Sequence, residues 1–87
     1  MKLMHLIEFT RESEKALARM PRNVRDLVMK KIAELGRDPF GAANVKALLG
    51  QPGYRLRVGD WRVIYDVDSG RVVVRVLRIA PRGGAYE

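Results

Sequence analysis

The chain has 87 residues and no cysteine. That excludes a disulfide framework and any thiolate-ligated metal site, and it points to a reducing cytoplasm as the location. There is one histidine, and the carboxylates are scattered without ligand spacing, so the sequence offers neither a metal site nor a cofactor site. No apolar run approaches the roughly 20 residues that a membrane span requires. Met1 to Ile7 is too short and too interrupted for a signal peptide. Internal repeats and interdomain linkers are absent, so residues 1–87 read as one domain with one modest core.

Acidic residues are also scarce. Ten Asp and Glu stand against 17 Lys and Arg, for a formal net charge of +7. A surplus of this size on a small chain implies an acidic partner, either nucleic acid or an acidic protein. The cations are unevenly distributed. All five Lys precede Gly50, and seven Arg with only four acids follow it. Arginine carries a planar donor fork suited to phosphate and stays charged at any physiological pH.

The hydrophobic fraction of 47% is that of an ordinary globular domain. Leu3 to Phe9 alternates as a first strand, with Leu3, His5, Ile7 and Phe9 on one face. Thr10 is an N-cap, followed by a helix from Arg11 to about Met20 with Ala16, Leu17 and Met20 as its apolar stripe. Pro21 opens a second helix. Val24, Leu27, Val28, Ile32 and Leu35 recur at helical spacing, and Gly36 takes the C′ position. Arg37 to Gly53 is connection, with a turn of helix over Asn44–Leu49 and Lys46 as an edge contact. Tyr54–Val58 and Trp61–Val67 form a hairpin about Gly59-Asp60. Asp68-Ser69-Gly70 then turns into a strand over Arg71–Ile79, and Ala80–Glu87 is a loop-like tail. Two helices return the chain to the end it left, so the second strand should run antiparallel to the first. The fold class is α+β: an N-terminal strand, a helical hairpin, then a three-stranded antiparallel meander, with the helices on one sheet face.

Alternation separates the two faces of that sheet. Tyr54, Leu56, Val58, Trp61, Val63, Tyr65, Val67, Val72, Val74 and Val76 make an apolar face that should receive the helices. Arg55, Arg57, Arg62, Ile64, Asp66, Val73, Arg75, Leu77 and Ile79 make the other. A two-residue Gly59-Asp60 loop sets Arg57 opposite Arg62. Like charges in that relation are destabilising unless an anion joins them. A two-residue Ser69-Gly70 loop would set Arg75 opposite Ile64 and Leu77 opposite Arg62. A solvated outer face is the plain alternative. Against it stand the single sign of the charges, the cross-strand pairing, and the continuation toward Arg82 and Tyr86.

These residues resemble a known family. The run Tyr54-Arg55-Leu56-Arg57-Val58-Gly59-Asp60-Trp61-Arg62-Val63-Ile64-Tyr65, the short Asp-Ser-Gly turn, the Val-rich last strand and Arg82 followed by Tyr86 are similar to the RelE/ParE toxin superfamily. The resemblance spans nearly the whole chain. It implies a toxin of a type II toxin–antitoxin system. In the RelE branch this is a ribosome-dependent mRNA endonuclease that inhibits translation. The ribose 2′-OH attacks the adjacent phosphate and leaves a 2′,3′-cyclic product. Carried over by position, Arg55, Arg57, Arg62, Arg82 and Tyr86 are the implied catalytic residues, with Tyr86 stacking on a base. Arg75 and Lys46 are the expected further RNA contacts. The implied partners are an acidic RelB-like antitoxin, the ribosome and mRNA, with operator DNA reached only through the antitoxin; no membrane is involved.

The chain departs from the RelE pattern at the proton-transfer positions. Both second-strand basic residues are Arg, which cannot release a proton near neutral pH. Ala80-Pro81 stands where Gly-His or Gly-Lys is common, and Gly83-Gly84 where charged residues are usual. His5 reads as a packed or edge histidine. Asp66 reads as an ion-pair partner of Arg75 before it reads as a base. A ParE-like inhibitor of DNA gyrase, or a toxin fold retained as a binding module, are the alternatives this implies.

Overall fold

In the computed structural model, which describes residues 4–82, the chain runs β1 (Leu6–Phe9), α1 (Arg11–Ala18), α2 (Arg22–Leu35), β2 (Val45–Ala47), β3 (Tyr54–Val58), β4 (Trp61–Asp68) and β5 (Val73–Pro81). The α+β class and the helical hairpin are as the residue pattern predicts. No helix among the described residues is long and apolar enough to cross a membrane.

Thr10 starts α1 for a local reason and anchors it for a tertiary one. Its hydroxyl oxygen accepts from the Ser13 backbone N–H at 3.2 Å, the N-cap bond. The same hydroxyl donates to the Leu77 carbonyl at 2.8 Å, which ties the helix start to β5. Ser13 is fully buried beneath it, and its hydroxyl is shared between the Thr10 and Val76 carbonyls at 2.9 and 3.1 Å. Thr10→Ala removes a cap and strands a carbonyl. A loss of about 1–2 kcal/mol is expected in urea denaturation, mostly restored by serine. An unchanged midpoint would show that neither bond contributes. The helix ends two residues before the sequence reading because Met20 precedes Pro21, and a residue before proline is pushed out of the helical region.

Gly36 closes α2, but not as a left-handed cap. Its φ is −63°, in the right-handed region. The reason for glycine is close approach: a Cβ there would lie 3.1 Å from the His5 carbonyl oxygen, while the Gly36 carbonyl accepts from the His5 N–H at 2.8 Å. The helix end and the entry to β1 therefore sit backbone against backbone.

The five strands are ordered β1-β5-β4-β3-β2. β1 pairs parallel with β5, and the other neighbours are antiparallel. Two antiparallel steps from β5 make β3 parallel to β1, contrary to the expectation for the second strand. The reversal is supplied instead by β2, where a turn of helix was expected. Asn44 at φ 67° blocks a helix there, and Val45 packs toward the core.

Leu17 and Met20 of the first helical segment, Val28, Ile32 and Leu35 of α2, and Leu56, Val58, Val63, Tyr65, Val74, Val76 and Ile79 of the sheet form the core. Two face assignments change. Val72 is not a core strand residue but the end of a four-residue loop, at φ 58°. Ile79 is in the core rather than on the open face. A register shift explains this: Tyr65 faces Val76 whereas Ile64 faces Arg78, so Leu77 is an extra residue.

Candidate functional site

The β3–β4 hairpin forms as its turn residues dictate. Gly59 alone takes a positive φ (58°), as the first position of a type II′ turn requires. Val58 then faces Trp61 and Arg57 faces Arg62, the register read from the sequence. The Arg57 N–H points away from β4, donating to the Asn44 carbonyl at 3.0 Å. Arg57 and Arg62 are therefore a non-hydrogen-bonded pair, the kind with the closer side chains.

Neutral acceptors hold these two guanidiniums. Arg62 Nη1 donates to the Gly59 and Trp61 carbonyls, each at 3.0 Å. Arg57 Nη2 reaches Asn44 Oδ1 at 3.4 Å. Neither has a carboxylate partner among the described residues, so both charges are positioned without being neutralised. β2 adds a second pair of cations. Lys46 lies directly opposite Arg55, on the same face and two β3 residues from Arg57. Two cross-strand cation pairs thus stand side by side.

The β5 half of the face is different. Asp66 takes Arg75 in a forked contact, Nε to Oδ1 at 3.4 Å and Nη2 to Oδ2 at 3.2 Å. That carboxylate, by hydrogen bond and then by charge, holds the Arg75 guanidinium even more firmly protonated than usual. Arg71 pairs with Glu8 at 3.1 Å and Arg78 with Glu12 at 3.0 Å. The expected placement of Arg75 opposite Ile64, and of Leu77 opposite Arg62, does not occur. Asp66 faces Arg75, Arg78 faces Ile64, and Ala80 faces Arg62. The β4–β5 loop has four residues rather than two, and the bulge adds one more. Arg78 escaped the sequence reading for the same reason: strict alternation through Leu77 assigns it to the wrong side.

Arg82 is brought to the Arg57–Arg62 end of the sheet, its N–H donating to the Asp60 carbonyl at 2.6 Å. Tyr86 lies outside the described residues. His5 is on the far edge, next to Gly36, with Nδ1 buried. Asp66 is engaged by Arg75. The arrangement can bind and stabilise an anion on the β2–β3–β4 half of the open face.

Residues 7–86 match the family model described as the ParE toxin of type II toxin–antitoxin systems, parDE. The chain is similar to a chain of the archaeal RelE–RelB complex from Pyrococcus horikoshii OT3, with 29% identity and a TM-score of 0.81 over 94% of this chain and 99% of that one. It is similar to a chain of the intact Escherichia coli RelBE toxin–antitoxin complex, with 26% identity and a TM-score of 0.78 over 88% and 95%. The YoeB/ParE toxin from Agrobacterium tumefaciens shares the fold at 18% identity, with a TM-score of 0.76 over 88% and 98%. Among curated protein sequences, none matches this chain significantly.

Proposed function

Since this chain belongs to the ParE toxin family of type II toxin–antitoxin systems, we propose that it is a toxin of the RelE kind, cleaving mRNA in the ribosome through the arginines of its open sheet face. The observation that carries this reading is the Arg57–Arg62 pair, held by neutral acceptors and lacking a carboxylate partner among the described residues. In the reaction the ribose 2′-oxygen attacks the adjacent phosphorus and the bond to the 5′-oxygen breaks, leaving a 2′,3′-cyclic phosphate. Charge builds on the phosphoryl oxygens, where preorganised guanidinium donors act most strongly. Arg57 and Arg62 supply those donors, and Arg55 and Arg82 extend the cluster. Tyr86 gives an unstacked base its platform. None of the arginines exchanges a proton near neutral pH, so the 2′-OH proton leaves to a base outside the cluster and the departing 5′-oxygen takes its proton from water. The ribosome positions the strand, and positioning replaces much of the chemistry.

A RelB-like antitoxin is the proposed partner, by likeness to the toxin–antitoxin complexes above. Its seat is the groove between α2 and the β3–β4 turn, lined by Val24, Leu27, Val58 and Trp61. Leu27 is 48% exposed there. An amphipathic helix from an acidic protein fits an apolar groove on a basic domain, and opposite charge speeds its capture.

A second reading has its own support. Both second-strand basic residues are arginine and Asp66 is engaged by Arg75, so the described site holds no evident base. That favours a ParE-like gyrase inhibitor. Primer extension on a message after a brief pulse of expression separates the two. Codon-periodic cuts are expected for the nuclease. Intact message with loss of supercoiling would replace it with the gyrase reading.

A further inference from the structure

The connection between α2 and β2 delivers one residue, Asn44, to both ends of Arg57. Its carbonyl accepts the Arg57 backbone N–H at 3.0 Å, and its side-chain Oδ1 accepts from Arg57 Nη2 at 3.4 Å. Val45 faces Leu56 in the β2–β3 register, so Asn44, one residue earlier, comes opposite Arg57. Arg57 therefore stands between an amide on one side and Arg62 on the other. The connection is fastened before it arrives there. The Tyr65 hydroxyl holds the Pro39 carbonyl, the Asp38 carboxylate accepts the Gly41 N–H at 2.9 Å, and Ala42 packs against the core. Asn44 then takes a φ of 67°, a left-handed conformation that Asn and Asp adopt more readily than other side chains with a Cβ.

We propose that Asn44 is a positioning residue for the phosphate chemistry: its neutral amide oxygen fixes the direction of the Arg57 guanidinium and leaves the charge uncancelled. The assignment rests on the nuclease reading above and adds to it a residue that acts through Arg57. Comparison with aspartate shows the physical reason. Aspartate has nearly the same shape, tolerates the same backbone, and would form a stronger, charge-assisted bond to arginine. It would also offset the repulsion between Arg57 and Arg62 across the strands. For the fold alone, aspartate is the better residue at this position. For a transition state that gathers negative charge it is the worse one, because its carboxylate competes with the phosphoryl oxygens for the same donors. Arg71, Arg75 and Arg78 on the β5 half do pair with carboxylates. Acids are thus used against arginines elsewhere on the domain, and at Arg57 the chain presents an amide instead.

Two measurements test this. One is primer extension after a brief pulse of expression at matched protein levels. The other is nitrogen-15 relaxation at the Arg57 Nε–Hε resonance, identified by its loss in Arg57→Lys. Asn44→Asp keeps the backbone and the bond but brings a charge. It is expected to reduce cutting at least about tenfold, with the urea midpoint unchanged or raised and the Arg57 side chain as ordered as in wild type. Asn44→Gly keeps the carbonyl bond and the left-handed backbone but removes Oδ1. It is expected to lose order at Arg57 and to reduce cutting only about threefold, the worth of one exposed hydrogen bond. Arg71→Ala lowers the net charge by the same one unit, away from the site, and should cut like wild type. A role in holding the loop alone gives a different order, with Asn44→Asp cutting like wild type. Full cutting by Asn44→Asp therefore overturns the proposal. So does a lowered midpoint in that variant, or equal order at Arg57 in wild type and Asn44→Gly. These results leave the nuclease reading standing, because the wild-type protein still cuts. Absence of cuts by the wild-type protein is a separate result, which overturns the nuclease reading and the role of Asn44 with it.

Discussion

Arg62→Ala is expected to relieve growth arrest by at least about 100-fold in colony counts, the usual scale for removing one transition-state donor. Codon-periodic cuts should vanish from primer extension at the same time. Folding stability is expected to stay within about 0.5 kcal/mol of wild type. The two halves of this expectation have one cause. Arg62 sits directly across from Arg57, a like-charge neighbour, so its removal relieves repulsion. What is lost with it is a pair of exposed bonds to the Gly59 and Trp61 carbonyls, which water replaces. On the proposed reading, Arg62 gives up some folded-state stability in exchange for a place on the phosphate. Arg71→Ala is the control. Arg71 is tied to Glu8 at the other edge, so toxicity should be unaffected. Full toxicity in folded Arg62→Ala protein would sink the proposed site.

Tyr65→Ala is expected to produce the largest loss of stability, about 3–5 kcal/mol, on the scale of other large aromatic-to-alanine changes in cores. Tyr65 is fully buried in the middle of β4. Its ring stacks on Tyr54 at 5.6 Å between centroids, and Tyr54 in turn meets Phe40 edge-on at 5.4 Å. Its hydroxyl donates to the Pro39 carbonyl at 2.5 Å. One side chain therefore fills the core and fastens the connection after α2 to the sheet.

Tyr65→Phe separates those two roles. It keeps the ring and strands the Pro39 carbonyl, at an expected cost of about 1–3 kcal/mol. It also changes the alkaline behaviour. Burial, then the neighbouring Tyr54 and Asp38, raise the Tyr65 phenol well above its ordinary range. The unfolded chain releases this proton near pH 10, while the folded chain keeps it. The contribution is complete below about pH 10 and falls as pH rises toward the folded value, at up to about 1.4 kcal/mol per pH unit for this one proton. Urea midpoints measured between neutral pH and pH 11 should decline less steeply in the phenylalanine variant. Equal slopes would mean that the phenol reaches water.

The part of the site on β3 and β4 was legible in the residues because a two-residue turn transmits register. Gly59-Asp60 admits one pairing, so Arg57 opposite Arg62 follows. The β5 half was not legible. Its loop spans four residues and contains Val72 in a left-handed conformation that a β-branched residue adopts only when its surroundings impose it. The bulge at Leu77 then moves Arg78 onto the face that alternation denies it. β2 was missed because three residues carry little strand signal of their own; Val45–Ala47 is a strand only because β3 lies beside it. With β2 unread, Lys46 could be assigned to an edge but not to a place opposite Arg55.

Composition and local pattern by themselves determined the class of the fold, the helix starts, the basic excess that calls for an acidic partner, and the identity of one arginine pair. Each of these depends on residues close together in the chain, where turn chemistry and side-chain period act directly. Only the tertiary structure decided which arginines are neutralised. Asp66, Glu8 and Glu12 claim Arg75, Arg71 and Arg78, and two of those three pairs join residues more than sixty positions apart. A charge is cancelled by what lies within a few ångströms of it in space, and sequence distance carries no information about that until the strands have chosen their order.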